Sequence, residues 1–371
     1  MKNITKIMLA LLTSVSLISN ASAGDLTVTG TAKATLSNVS GGTNGASAKK
    51  GVGIANEIDF GATGELDNGM TWNYQVQFDP GATTNNGGVD DSQLTITSGY
   101  GTLGLYVSEG GLGTDDSASQ SVYGRFTDIG VASGIVEGKG VDGGNNIQLH
   151  TPAGLLPLDA TIKAAYAPSK SSSGIASTNK TGGASSVYGT SIEQIQVTLV
   201  PTDGLKVYAD YYAEKGAGNS INRVIQEQEA GSIAAEYAVG AFSVGLSRTL
   251  NAPLILGTGA SRNANDPNSA IALQGSTTYN PDSARLYKTR KGSVAYNVND
   301  NLSISFEREE SERELIADGS DNANKLQADA IQAAYTMGGM TLALSHGEIE
   351  NAGYTRANDT KQTLVAVTMA F

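Results

Sequence analysis

Apolar and polar residues alternate with a period of two along most of the chain. The last segment, 359–371, reads DTKQTLVAVTMAF, with Val365, Val367, Met369 and Phe371 on one face and Leu364, Ala366, Thr368 and Ala370 on the other. That period belongs to a strand with one greasy face. Near the start, 25–36 places Leu26, Val28, Gly30, Ala32, Ala34 and Leu36 on one side and Thr27, Thr29, Thr31, Lys33 and Thr35 on the other. A terminal strand of this kind presents an edge that invites aggregation, and pairing it with the first strand removes that edge. The two ends together predict a closed barrel with lipid outside and water inside.

Between them the pattern predicts strands over 54–64, 70–79, 92–97, 102–108, 146–151, 159–167, 190–200, 205–214, 227–239, 241–250, 283–298, 302–313, 323–337 and 340–349. Short turns alternate with longer polar loops: Leu66-Asp67-Asn68-Gly69 carries a hairpin dipeptide, whereas 37–53 is a loop rich in Gly, Ser and Lys. The total is sixteen strands, seven short turns and eight longer loops, the layout of an all-β transmembrane antiparallel barrel. The rhythm fails once at length, over 109–145, and a structureless span of that size is usually functional.

The faces are unequal. Leu94, Ile96, Leu103, Leu105, Val107, Ile195, Val197, Leu199, Phe242, Val244, Leu246, Val294, Tyr296 and Val298 form the expected lipid face. The opposite face, with Gln148, His150, Gln194, Gln196, Thr198, Lys206, Tyr208, Asp210, Glu236, Ser243 and Ser247, could not form a dry core without many unsatisfied polar groups. A soluble β-sandwich or β-helix shows the same alternation, but does not account for the N-terminus, the terminal Phe371 and the turn asymmetry together.

That N-terminus reads as a secretory signal over 1–23: Lys2 and Lys6, an apolar core from Ile7 to Ile18, and Ala21-Ser22-Ala23 before the cut. The core is shorter than the about 20 residues of a membrane-spanning helix. Removing it leaves 24–371 as one barrel domain, with 22 of the 24 Lys and Arg against all 36 Asp and Glu. The acidic balance argues against nucleic acid as a partner. The absence of cysteine excludes disulfides and thiolate metal sites.

Other motifs carry little. Gly99-Tyr100-Gly101-Thr102-Leu103-Gly104 matches a dinucleotide pattern, but a strand follows it where a helix is needed. His150 and His346 lack metal-ligand spacing. The segment 318–324 offers oxygens to calcium without the downstream spacing of a calcium loop, and reads as a plain exposed loop, so no cofactor is expected.

The signal, the sixteen-strand rhythm, the long third loop and the terminal Phe resemble the Gram-negative general porins, most closely their alphaproteobacterial members. The resemblance covers the whole mature chain as pattern more than identity. It implies a homotrimer whose third loop, 109–145, folds into the pore, with acidic groups facing a basic wall. Many members open this loop with Pro-Glu-Phe-Gly-Gly; here Ser108-Glu109-Gly110-Gly111 keeps the Glu and glycines without the Pro and Phe. The eyelet acids so implied are Glu109, Asp115, Asp116, Asp128, Glu137 and Asp142, partly balanced by Arg125 and Lys139. The wall candidates are Lys33, Lys163 and Lys206, in phase with lumen neighbours, and the dense run Arg285, Lys288, Arg290 and Lys291, which begins a strand and so stands either on the wall or at the mouth.

Opposed charges across a wet slot pass small polar solutes, and charge excess sets ion preference. The expected function is passive diffusion of small hydrophilic solutes and ions, weakly favouring cations, with no enzymatic activity. Expected surroundings are outer-membrane lipid and lipopolysaccharide, reached through the periplasm, with assembly machinery engaging the C-terminal strand. The alternatives are an outer-membrane or secreted β-protein with a structural or adhesive role, and a barrel enzyme.

Overall fold

The computed structural model describes residues 24–42, 49–78, 89–129, 133–168, 189–216, 222–258, 271–273, 284–315 and 324–371. The expected signal over 1–23, and the 318–324 segment except Asn324, lie outside the described residues.

Sixteen strands close a single antiparallel barrel. In chain order they are β1 (Leu26–Gly41), β2 (Lys49–Glu65), β3 (Thr71–Phe78), β4 (Val89–Ser98), β5 (Gly101–Val107), β6 (Asn146–His150), β7 (Thr161–Ala167) and β8 (Gly189–Thr202). They continue as β9 (Leu205–Gly216), β10 (Gln228–Val239), β11 (Phe242–Ala252), β12 (Ala284–Asn297), β13 (Leu302–Leu315), β14 (Leu326–Met337), β15 (Met340–Glu350) and β16 (Thr360–Ala370). Each pairs with its sequence neighbour, and β1 pairs with β16 from Thr31↔Ala370 to Gly41↔Thr360. The seam ends on Phe371, whose N–H donates to Gly30 O at 3.0 Å while Gly30 N–H donates to Phe371 O at 2.9 Å. No edge is left to aggregate.

The polarity is inverted relative to a soluble fold. Exposed positions include Phe242, Val244, Leu246, Val294, Ile304, Phe306, Leu342 and Leu344, whereas Gln148, Gln194, Ser293, Ser305, Glu307, Glu309 and Gln332 are buried. Alternation dictates this: on β13, Ser305, Glu307 and Glu309 point inward and Ile304 and Phe306 outward. An exposed apolar band around a polar interior suits lipid outside and water inside.

The strand pattern expected from sequence holds, with differences at the loop ends. β2 begins at Lys49, five residues ahead of its apolar alternation, and β13 runs on to Leu315. There both faces meet polar surroundings, so pairing continues without an apolar signal. Asn222–Gln226, Ile255–Thr258 and Ile271–Leu273, which read as loop, form a small three-stranded sheet of strands too short to show a period of two. Gly99-Tyr100 is a hairpin turn between β4 and β5, and both histidines lie on strands.

Candidate functional site: the lumen loop

The segment between β5 and β6 turns into the barrel. Ser108 and Gly110 adopt positive φ of 56° and 80°, which redirects the chain as it leaves β5. It then travels along the inner wall, held by side chains that the alternation points inward. The Asn146 amide donates to Glu109 O at 2.9 Å, and the Gln196 amide to Leu112 O at 3.1 Å. Asp210 accepts both the N–H and the hydroxyl of Thr114, at 2.9 and 2.7 Å. The Ser247 hydroxyl donates to Asp115 O at 2.8 Å; Gln120 N–H donates to Ser293 Oγ at 2.9 Å and Val122 N–H to Ser305 Oγ at 3.1 Å. At β14 the Gln332 side chain accepts from Tyr123 N–H and donates to Gly124 O, at 3.1 and 2.7 Å.

The loop then doubles back. Thr127 donates to Glu309 at 2.8 Å, Thr289 to Val136 O at 2.7 Å and Asn251 to Glu137 O at 2.6 Å. Gln194 closes the return, donating to Lys139 O and accepting from Val141 N–H, both at 2.8 Å. An interior of amides, hydroxyls and carboxylates therefore satisfies an irregular backbone that lipid could not. Close approach also needs glycine: a Cβ at Gly245 would lie 1.5 Å from Ala118 O.

At the centre, Arg125 and Lys291 meet the loop's acids. The Arg125 guanidinium pairs with Asp116, Asp128 and Glu137, and stands 3.8 Å from Glu309 of β13. The Lys291 ammonium, on β12, lies 3.6 Å from Asp115, 2.5 Å from Asp116 and 3.1 Å from Glu137. Burial opposes the charge of Arg125, but Glu309, Asp116 and Glu137 outweigh it and raise its pKa further. Burial pushes the Asp116 carboxyl up, against the pull of Lys291 and Arg125 and with Asp115 adding to it. Asp115, Asp116 and Glu137 bring carboxylate oxygens within 4.8 Å of one another, a spacing that would suit a metal ion. Lys291 already supplies the positive charge there.

The remaining acids stand apart. Asp142 lies in the one-turn helix Val141–Gly143, beside Gly111. Glu109 stays at the loop's start, where burial, then Asp59 and Glu57, raise its pKa. Lys33 faces the loop from β1, its ammonium 5.4 Å from the Tyr123 ring centre. Lys163 shares the lumen face with His150, its register partner. Lys206 pairs with Glu236 at 3.0 Å, and Glu236 accepts from Gln120 of the loop at 3.3 Å.

Two expectations are corrected. Lys288 and Arg290 alternate with Thr289, which is buried and bonded to the loop, so both point out of the barrel; Arg290 pairs with Glu312 at 3.1 Å and Lys288 with Glu314. Arg285, at the irregular start of β12, also pairs with Glu314, at 3.1 Å. Of the dense basic run only Lys291 reaches the lumen acids. The acids and bases are also not opposed across a gap. Lys291 sits on the wall against which the loop is pressed, and the β1–β4 side presents Lys33 among Glu57, Asp59, Gln75 and Gln93. Sequence reasoning missed Glu309 and Tyr123. The inward series Ser303, Ser305, Glu307, Glu309 and Ser311 was the available signal for the first.

A closed barrel with a polar interior and a loop bonded along its inner wall defines a membrane channel protein. The model of the Gram-negative porin family matches residues 8–368, and the chain belongs to that family. Its fold is also that of solved porins. The anion-selective porin from Comamonas acidovorans is 12% identical, covers 94% of this chain and 100% of its own, and has a TM-score of 0.63. Salmonella typhi OmpF, solved in complex with daunomycin, is 13% identical over 94% of this chain and 98% of its own, with a TM-score of 0.61. The trimer form of in-vitro-folded OmpT, an outer-membrane protein of Vibrio cholerae, is 12% identical over 94% of this chain and 100% of its own, with a TM-score of 0.58. No curated protein matches the chain. The chain is thus an outer-membrane channel for small solutes.

Proposed function

We propose that this channel lets small hydrophilic solutes and ions diffuse passively, with a weak preference for cations, and that it works as a homotrimer. The observation that carries the reading is the inverted polarity: buried Gln148, Gln194, Glu307, Glu309 and Gln332 behind exposed Leu246, Val294 and Phe306. Such an interior favours water and hydrated solutes over apolar ones. The cation preference rests on the lumen charges. Among the described residues, Asp115, Asp116, Asp128, Glu137 and Glu309 surround Arg125 and Lys291, while Glu57 and Asp59 share a wall with Lys33 and act on Glu109. The Comamonas acidovorans porin is described as anion-selective, so the fold leaves the sign of selectivity to these side chains. Trimerisation is supported by the trimer form of the Vibrio cholerae protein, and by the small outward residues Ala32 and Ala34 on β1.

Export through the periplasm after loss of 1–23, assembly guided by the strand ending at Phe371, and a lipopolysaccharide surround complete the proposal. Swelling of liposomes loaded with the purified protein tests it. Rates should fall steadily as the external sugar grows from pentose to trisaccharide. Absence of swelling with protein shown to be folded would favour a structural or adhesive barrel.

A further inference from the structure

On the lumen wall, two opposite charges stand near each other without meeting. The bonds that pin the lumen loop run from Asn146 on β6 round to Gln332 on β14, so β1–β4 face the solute path. Lys33 on β1 is the register partner of Ala55 on β2, and Glu57 and Asp59 occupy the next two inward positions of that strand. Diagonal neighbours such as Lys33 and Glu57 lie about 7 to 8 Å apart, within reach of long side chains. Among the described residues, however, Lys33 forms no ion pair, and neither does Glu57 or Asp59. All three are half-buried.

The reason lies in the loop. The Lys33 ammonium stands over the Tyr123 ring, 5.4 Å from its centre, and the face of an aromatic ring attracts a cation. That ring is fixed in place. Tyr123 N–H donates to Gln332 at 3.1 Å, and the side chain packs on Ala343, Leu364 and Ala366 of β15 and β16. Asp59 is held towards β3, where it accepts the Gln75 amide at 3.2 Å while Gln75 accepts the Gln93 amide at 2.8 Å. Glu57 lies between them, and its side chain makes no hydrogen bond among the described residues. The pair is thus held open: an ammonium without a carboxylate, beside carboxylates without an ammonium.

We propose that this open pair binds small zwitterions of the α-amino-acid class as they pass, the solute carboxylate on Lys33 and the solute ammonium on Glu57. Tyr123 is the positioning residue that keeps Lys33 away from Glu57. Two charge-assisted hydrogen bonds of about 2.8 Å and the body of an α-amino acid span such a gap. A simple cation meets the repulsion of Lys33. A simple anion meets that of Glu57 and Asp59, and of Glu109 at the loop's start, on which both act. A solute carrying both charges satisfies both ends. This inference rests on the channel reading and names a solute class that its lumen favours.

Entry of isotope-labelled L-alanine into vesicles carrying the intact folded protein tests it, measured beside lactamide, a neutral solute of nearly the same size, and alaninamide, a cation without the carboxylate. At low concentration the wild type should admit L-alanine about threefold faster than either, and the advantage should shrink as rising concentration fills a weak site. Lys33→Gln and Glu57→Gln should each bring the ratio of L-alanine to lactamide towards one. Tyr123→Phe keeps the ring and should keep the ratio, whereas Tyr123→Leu should lose it although both charges remain. Equal entry of L-alanine and lactamide into wild-type vesicles would overturn the proposal without any variant. Entry of alaninamide as fast as L-alanine would also overturn it, reducing the effect to cation preference, as would a ratio that survives both Lys33→Gln and Tyr123→Leu. Each of these leaves the channel standing. Folded protein that admits none of the three solutes would contradict the channel reading itself, and this inference with it.

Discussion

The Lys291 ammonium stands 3.1 Å from the Glu137 carboxylate, joining strand β12 to a loop residue 154 positions earlier in the chain. It is nearly buried, and Asp115 and Asp116 share it. Removing one partner of a buried ion pair is costly because the other charges stay buried, typically about 3 kcal/mol or more. Lys291→Gln should therefore destabilise the barrel by about 3 kcal/mol in urea unfolding, and move the reversal potential towards stronger cation preference. An unchanged reversal potential would mean that these acids do not face the ion path.

Acid should weaken the cation preference early. The folded-state pKa of Glu109 is raised by burial and by Asp59 and Glu57. A raised carboxyl binds its proton more readily in the folded protein, so its stability contribution is present at low pH and lost as pH rises through the folded value. On acidification its charge disappears before that of an ordinary glutamate, whose pKa is about 4.3. Reversal potentials recorded against pH should start to fall above that value in the wild type. The same titration of Glu109→Gln should show a smaller early step, the remainder coming from Asp116, whose pKa burial also raises.

The seam depends on glycine. A Cβ at Gly30 would lie 2.5 Å from Glu57 O and 2.9 Å from the Phe371 ring. Gly30→Val should cost about 2 kcal/mol by overpacking, and should lower the temperature at which the folded band is lost in heat-modifiable gel migration. Deletion of Phe371 removes two backbone hydrogen bonds and should lower that temperature too. A melting temperature within error of wild type in both would show that the seam is held elsewhere.

The loop between β15 and β16 holds the long loop between β5 and β6. The Tyr354 hydroxyl accepts Val136 N–H at 3.2 Å and lies 2.7 Å from Ser311 Oγ, while Gly353 N–H donates to Ser133 O at 2.8 Å. Tyr354→Phe keeps the ring against Tyr287 and Arg313 but frees the loop backbone, a loss of about 1 kcal/mol. Brief closures should become more frequent in single-channel records, with the full conductance level preserved.

Much of this architecture could be read from sequence, because a period of two states both where a strand runs and which way each side chain points. Lys33, Lys163, Lys206 and Lys291 face the lumen as their phase requires. The same phase, counted back from Tyr296 and Val294, puts Arg290 and Lys288 outside; the density of charge in that run hides the count. The pairing of Arg125 with Glu309, 184 residues apart, follows from how the loop lies along the wall, and no local pattern encodes it. The short strands beyond the barrel escape for a simpler reason: three to five residues are too few to show an alternation.

The most direct test is the current through single proteins in a planar bilayer with a salt gradient across it. The account predicts large, stable steps that close in groups of three, and a reversal potential of the sign for weak cation preference. Folded protein that gives no steps would contradict the channel itself, and steps with an anion-selective potential would contradict the reading of its lumen charges.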